Sequence, residues 1–112
     1  MNRAETLRKK EDFDRLRHKG KSIGGKYAVL AFISNNLDVT RKAFLASKKI
    51  GNSIQRHRSA RLLRESLRLI EKEYDIPKGM DILLIARTPI LDSKCADVKK
   101  DIEAAMKKAK LI

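Results

Sequence analysis

Between Asn52 and Tyr74 the sequence keeps two helical registers at once. At about 100° per residue, Ala60, Leu63, Leu67, Ile70 and Tyr74 fall on one stripe of a long helix. That apolar stripe needs another layer to cover it and predicts the core face. His57, Arg61, Arg64 and Arg68, spaced by four, three and four, form a second stripe roughly a quarter-turn away. Asn52 or Ser53 is suitable chemistry for the helix start. One side of this helix must be packed, and the other presents guanidinium groups.

The flanking segments supply the rest of a small domain. Lys10 to Lys19 predicts a first helix, with Glu11, Asp12 and Asp14 suited to its positive N-terminal end and Gly20 to its stop. Phe13 and Leu16, three apart, share a face. Tyr27 to Ile33 is short, apolar and β-branched, hence a buried strand. Asn35-Asn36-Leu37-Asp38 is turn chemistry, and Lys42 to Ser47 returns as a second strand. Pro77 and Gly79 lead into a third, Met80 to Ala86. Pro89 and Asp92 precede a last helix from Ser93 to about Lys110, with Cys95, Val98, Ile102, Ala105, Met106 and Ala109 along one face. The order helix, strands, helix, strand, helix predicts an α+β fold, a two-layer sandwich with helices packed on a small sheet. At 112 residues and 42% hydrophobic, residues 1–112 make one domain with one small core.

Charge is distributed unevenly. Lys and Arg number 27 against 14 Asp and Glu, a net of +13. The first 68 residues hold 18 basic and six acidic groups, and the remainder nine and eight. From Arg41 to Arg64 the chain carries Arg41, Lys42, Lys48, Lys49, Arg56, Arg58, Arg61 and Arg64 with no acid. A one-sign stretch of this length repels itself and calls for a polyanion, nucleic acid above all. The longest nearly apolar run, Tyr27 to Ile33, falls far short of the ~20 residues that span a membrane. The opening Met1-Asn2-Arg3-Ala4-Glu5 lacks the apolar core of a secretory signal. A single cysteine cannot form an intrachain disulfide, in keeping with a reducing cytoplasm.

Catalytic chemistry is sparse. His18 and His57 are the only histidines, with no zinc-ligand spacing around them. Ser22-Ile-Gly-Gly25 lacks the spacing and following lysine of a phosphate loop. Glu71 and Glu73 point to different faces of one helix, and Cys95 sits on an apolar stripe as a small core residue. No catalytic residue, metal ligand or small-molecule site is expected of the protein alone. Binding is the stronger signal. Ser47-Lys48-Lys49-Ile50-Gly51-Asn52-Ser53 is a strand end, a turn and a helix start, where free N–H groups beside two lysines make an anion site. Phe13 fits two roles, a core side chain or a platform on which single-stranded bases stack.

At Ser47-Lys-Lys-Ile-Gly-Asn-Ser-Ile-Gln-Arg-His-Arg-Ser-Ala-Arg-Leu-Leu-Arg-Glu65 the chain resembles the protein subunit of bacterial ribonuclease P. That family typically carries Ser-Lys-Lys-Val-Gly-Asn-Ala-Val-x-Arg-Asn-Arg-x-Lys-Arg-x-Leu-Arg-Glu on its long helix. Leu7-Arg-Lys-Lys-Glu-Asp-Phe13 is similar to the family's opening, and Asp81-Ile-Leu-Leu-Ile-Ala-Arg87 to its last strand. The resemblance implies an α+β sandwich with a left-handed crossover. It also implies a protein that assists a large catalytic RNA in hydrolysing precursor tRNA to release the 5′ leader. The chemistry and its Mg²⁺ then belong to the RNA, and the protein alone is inactive. Carried over by position, Lys48, Lys49, Asn52, Arg56, Arg58, Arg61 and Arg64 would contact the catalytic RNA or the neighbouring leader. Phe13 matches an aromatic of the leader cleft.

Departures from the family pattern shift these expectations. His57 stands where Asn is usual and can still donate or accept a hydrogen bond. Ala60 replaces a common Lys. Arg17 and Ala31 occupy positions that are often aromatic. Stacking is then weaker or moved to Tyr27, which alternation places on the strand face of Ala31, while Arg17 can stack through its guanidinium plane. His57 and Arg68 join Lys48, Lys49, Asn52, Arg56, Arg58, Arg61 and Arg64 in the expected RNA surface, and Arg17 and Tyr27 join Phe13 in the expected leader cleft. Composition alone fits a non-catalytic RNA-binding module equally well, such as a ribosome-associated protein or an RNA chaperone.

Overall fold

A computed structural model describes residues 6–112. The charged opening Met1–Glu5, read above for a targeting segment, lies outside the described residues. The fold is α+β. Helix α1 spans Lys10–Lys19, followed by strands β1 (Lys21–Gly24), β2 (Ala28–Ser34) and β3 (Arg41–Leu45). Helix α2 covers Ser53–Glu73, strand β4 Met80–Ala86 and helix α3 Cys95–Lys108, with a 3₁₀ turn at Thr88–Asp92 before α3. The four strands form one mixed sheet in the order β1-β2-β4-β3. β2 runs antiparallel to both β1 and β4, whereas β3 lies parallel to β4. The long helix α2 is the crossover between those parallel neighbours.

Alternation along the strands feeds two apolar clusters. Leu30, Ile82 and Leu84 join Leu63, Leu67 and Ile70 of α2 and Val98, Ile102 and Met106 of α3 in the main core. Ala31, Ala43, Leu83 and Ile85, of opposite parity, join Leu7, Leu16 and Phe13 in a smaller cluster with α1. The segment before α1 covers part of the β3 edge, with Leu7 N–H donating to Lys42 O at 2.9 Å.

Several local expectations change. Gly20 ends α1 in extended conformation (φ −78°), so its role is steric. A β-carbon there would lie 2.4 Å from Leu16 O and 3.0 Å from Phe32 O, so only glycine lets the end of α1 approach β2. β1 has no counterpart in the sequence reading: four residues with one apolar side chain leave no periodic signal. The buried stripe of α2 is Ser59, Leu63, Ser66, Leu67 and Ile70, with Ala60 and Tyr74 only half-buried. Serines are tolerated there because Ser59 Oγ donates to Gln55 O at 2.8 Å. The last helix begins at Cys95, since Ser93 instead closes the 3₁₀ turn, its hydroxyl donating to Ile90 O at 2.6 Å.

Candidate nucleic-acid interface

The start of α2 is built by a reciprocal cap. Asn52 Oδ1 accepts from Gln55 N–H at 2.8 Å, and Gln55 Oε1 accepts from Asn52 N–H at 2.9 Å. Gly51 must be glycine for two reasons. Its φ is +143°, and a β-carbon would fall 1.9 Å from Gln55 Oε1. The cap narrows the anion site expected here: Asn52 already takes the Gln55 N–H, leaving the N–H groups of Ser53 and Ile54 without intrahelical partners. Lys48 and Lys49 are exposed beside them, and the first turn holds no acid.

Along α2, His57, Arg61, Arg64 and Arg68 are all exposed, and Arg56 is half-buried. Among the described residues no carboxylate pairs with Lys48, Lys49, Arg56, His57, Arg61 or Arg64. Arg64 lies over the Phe44 ring, 5.3 Å from its centroid. Three other members of the cationic run are engaged within the chain. Arg41 is bound by Asp81 and Asp12, and the buried Lys42 donates to Glu71 at 2.8 Å. Arg58 turns onto the 3₁₀ turn, donating to Ser93 O at 3.0 Å and Leu91 O at 3.4 Å. Arg68 forms a bidentate pair with Glu65, whose carboxyl that hydrogen bond holds below its ordinary value. The acid-free run is therefore only partly an open cationic surface.

Between α1 and the sheet lies a cleft of about 480 Å³. Phe13, Leu16 and Arg17 of α1 form one wall, with Val29, Ala31, Leu83 and Ile85 on the sheet side and Leu45 at the end of β3. Lys21 of the unforeseen β1 adds a cation to the lining. Nothing in the sequence marked it, because its strand carried no pattern. Phe13 is half-buried, serving the smaller cluster and the cleft together. Tyr27 is a correction: it is not among the lining residues. It precedes β2, where Asp101 of α3 accepts its N–H at 2.9 Å, and its side chain packs against the main core. Alternation applies only inside the strand, and Tyr27 lies outside it.

Asp81, quoted above only as the head of a strand motif, is fully buried. It accepts from Arg41, Asn35 and Arg15. Burial by itself raises this carboxyl, but hydrogen bonds from Arg41 and Asn35, the Arg41 charge and the Arg15 hydrogen bond outweigh it, and the net shift is downward. Asp81 stays ionised at neutral pH.

Fold and surface first define a class: a small basic α+β domain with unpaired cations on one helix and an apolar, cation-edged cleft, a combination suited to nucleic acid. Comparison with known proteins narrows it. The family model for ribonuclease P matches residues 1–110. The ribonuclease P protein component of Pelotomaculum thermopropionicum is 35% identical over 111 residues, covering 99% of this chain and 97% of that one. Its Clostridioides difficile counterpart is 37% identical over 108 residues, covering 96% and 94%. Among solved structures, the Staphylococcus aureus RNase P protein superposes with a TM-score of 0.83 at 29% identity, covering 97% of this chain and 98% of that one. The Thermotoga maritima RNase P protein gives 0.79 at 29% identity, covering 93% and 96%. The chain belongs to the ribonuclease P protein family. It is thus a subunit of a ribonucleoprotein that processes tRNA, with RNA as its partner. No helix among the described residues is long and apolar enough to cross a membrane.

Proposed function

We propose that this subunit holds the catalytic RNA of ribonuclease P through the free cations of α2 and the Lys48–Lys49 turn. The cleft beside α1 receives the single-stranded 5′ leader of precursor tRNA. Lys48, Lys49, Arg56, Arg61 and Arg64 neutralise phosphates where the two RNAs meet, releasing counterions. Asn52 shapes the turn through its cap, and His57 adds a hydrogen-bonding edge to the same surface. Phe13 stacks on a leader base, and Arg17 with Lys21 draws in its phosphates. Arg58 and Arg68 contribute less, since each already has partners in the chain.

One observation carries this proposal: cations without carboxylate partners continue directly from the cleft. Leu45 lines the cleft and Lys48 follows three residues later, a separation of at most roughly 11 Å along the chain. A leader lying in the cleft would therefore pass beside the basic turn. Hydrolysis and its Mg²⁺ belong to the RNA. The best-enclosed carboxylate, Asp81, is already occupied by guanidinium donors, and Glu71 and Glu73 are paired with Lys42 and Lys99. Mixing the purified protein, a bacterial catalytic RNA and precursor tRNA at moderate salt and low Mg²⁺ tests the division of labour. The expected outcome is no cleavage by protein alone, slow cleavage by RNA alone and fast cleavage by both. Cleavage by protein alone would defeat it. A mixture no faster than RNA alone would favour a non-catalytic RNA-binding module of another kind.

A further inference from the structure

Helix α1 is only ten residues long and has one fully buried side chain, Leu16. Leu7 and Leu83 are the other buried members of its cluster. Apolar burial is non-directional, so so small a base does little to stop the helix rolling about its axis. Direction comes from charge. Asp81 Oδ1 accepts from Arg41 Nε at 2.8 Å and Asn35 Nδ2 at 2.9 Å. Its Oδ2 accepts from Arg41 Nη2 at 2.8 Å and from Arg15 Nη2, on α1, at 3.0 Å. Arg41 also donates to Asp12, again on α1, through Nη1 at 3.2 Å and Nη2 at 3.1 Å.

Asp12 and Arg15 therefore peg one flank of α1 to β3 and β4. Phe13 and Arg17 leave the helix on the other side of the buried Leu16 and line the cleft. At the far end, the close approach of Gly20 to Phe32 O fixes a second point. Two fixed points set the tilt of a short helix, and pegs on one flank set its rotation. The cluster is not fully satisfied: Arg15 Nε is buried without a hydrogen-bond partner.

We propose that Asp81 is a positioning residue: buried beneath α1 and beyond the reach of RNA, it sets the rotation of that helix and so aims Phe13 and Arg17 at the leader. This rests on the cleft's role as leader site given above. Asp81→Asn keeps the size of the side chain and removes the charge that orients both arginines. Asp12→Asn, nearer the surface, removes one peg and serves if Asp81→Asn does not fold.

The experiment measures, in the reconstituted holoenzyme, the ratio of affinities for precursor and mature tRNA, alongside amide exchange in the free protein. Asp81→Asn is expected to speed exchange in α1 but not in α2, and to lower the ratio at least fivefold with mature tRNA affinity held. Asp12→Asn is expected to lower it about twofold. In a Phe13→Ala/Arg17→Ala background neither substitution should change the ratio further, because both act through those two side chains. An effect of equal size in that background would make Asp81 merely structural and overturn the proposal. A ratio sensitive to Phe13 and Arg17 yet blind to both aspartate variants overturns the positioning role alone. A ratio already indifferent to loss of Phe13 and Arg17 overturns the leader site, and the positioning role with it.

Discussion

The helices α1 and α3, packed on opposite faces of the sheet, are held by different physics. α3 is packed by apolar burial: Val98, Ile102 and Met106 interlock with Leu63, Leu67 and Ile70 in a continuous core. α1 on its smaller cluster is held mainly by directed charges, Arg15 and Asp12 meeting Asp81 and Arg41. Close packing spreads the restraint over many contacts, whereas α1 owes its orientation to a few directed ion pairs beside an open cleft. The difference separates a platform held by bulk packing, which carries the basic helix, from a cleft wall whose aim depends on a few charged contacts.

The largest effects should separate the platform from the wall. Leu67→Ala, in the main core, should destabilise by about 3–5 kcal/mol, whereas Leu16→Ala should cost about 2 kcal/mol because its site borders the cleft and can relax. Urea denaturation of both variants checks this, and equal losses would erase the contrast. Phe13→Ala comes next. Loss of one stacked base is worth about 1–3 kcal/mol, so precursor affinity should fall roughly five- to 150-fold while mature tRNA binding is unchanged. Equal loss on both substrates would place Phe13 in the fold rather than the site.

Two arginines of α2 sharpen the comparison at smaller magnitude. Arg61→Ala should lower the slope of log affinity for the catalytic RNA against log salt by about one, with no change in Tm. Arg58→Ala should lower Tm as well, because Ser93 O and Leu91 O lose their donor. Identical behaviour of the two variants would contradict the distinction. Acid provides the gentlest probe. Asp81 has a folded-state pKa below its ordinary 3.8, so its contribution is fully present above that value and is lost as pH falls through the lower folded one. Amide exchange below pH 3.8 should therefore show α1 losing protection before α2 and α3. Simultaneous loss would mean that the charge cluster does not hold α1.

Much of this was legible in the sequence where periodicity was long. Lys10–Lys19 and Met80–Ala86 match their elements to the residue, and α2 begins at the cap Asn52. Most of the illegible features are completed by residues far along the chain. Asp81 meets Arg15, Asn35 and Arg41 across 66, 46 and 40 positions. The same distance misled the charge count, since Arg41 and Lys42 looked unneutralised until the fold brought Asp81, Asp12 and Glu71 to them. Tyr27 was placed by alternation, but Asp101, itself 74 positions away, takes the Tyr27 N–H in the turn before the strand. β1 failed for the opposite reason. Its four residues are too few for any pattern, and pairing with β2 alone makes them a strand.

The central claim, that the unpaired cations of the Lys48–Lys49 turn and α2 exist to meet phosphates, is tested most directly by the salt dependence of binding to the catalytic RNA. Wild type is compared with a folded variant carrying Lys48→Ala, Lys49→Ala, Arg56→Ala, Arg61→Ala and Arg64→Ala. Each phosphate contact contributes about 0.7–0.9 to the slope of log affinity against log salt, so the variant should lose roughly 3.5 to 4.5 units. An unchanged slope would show that these side chains do not touch RNA.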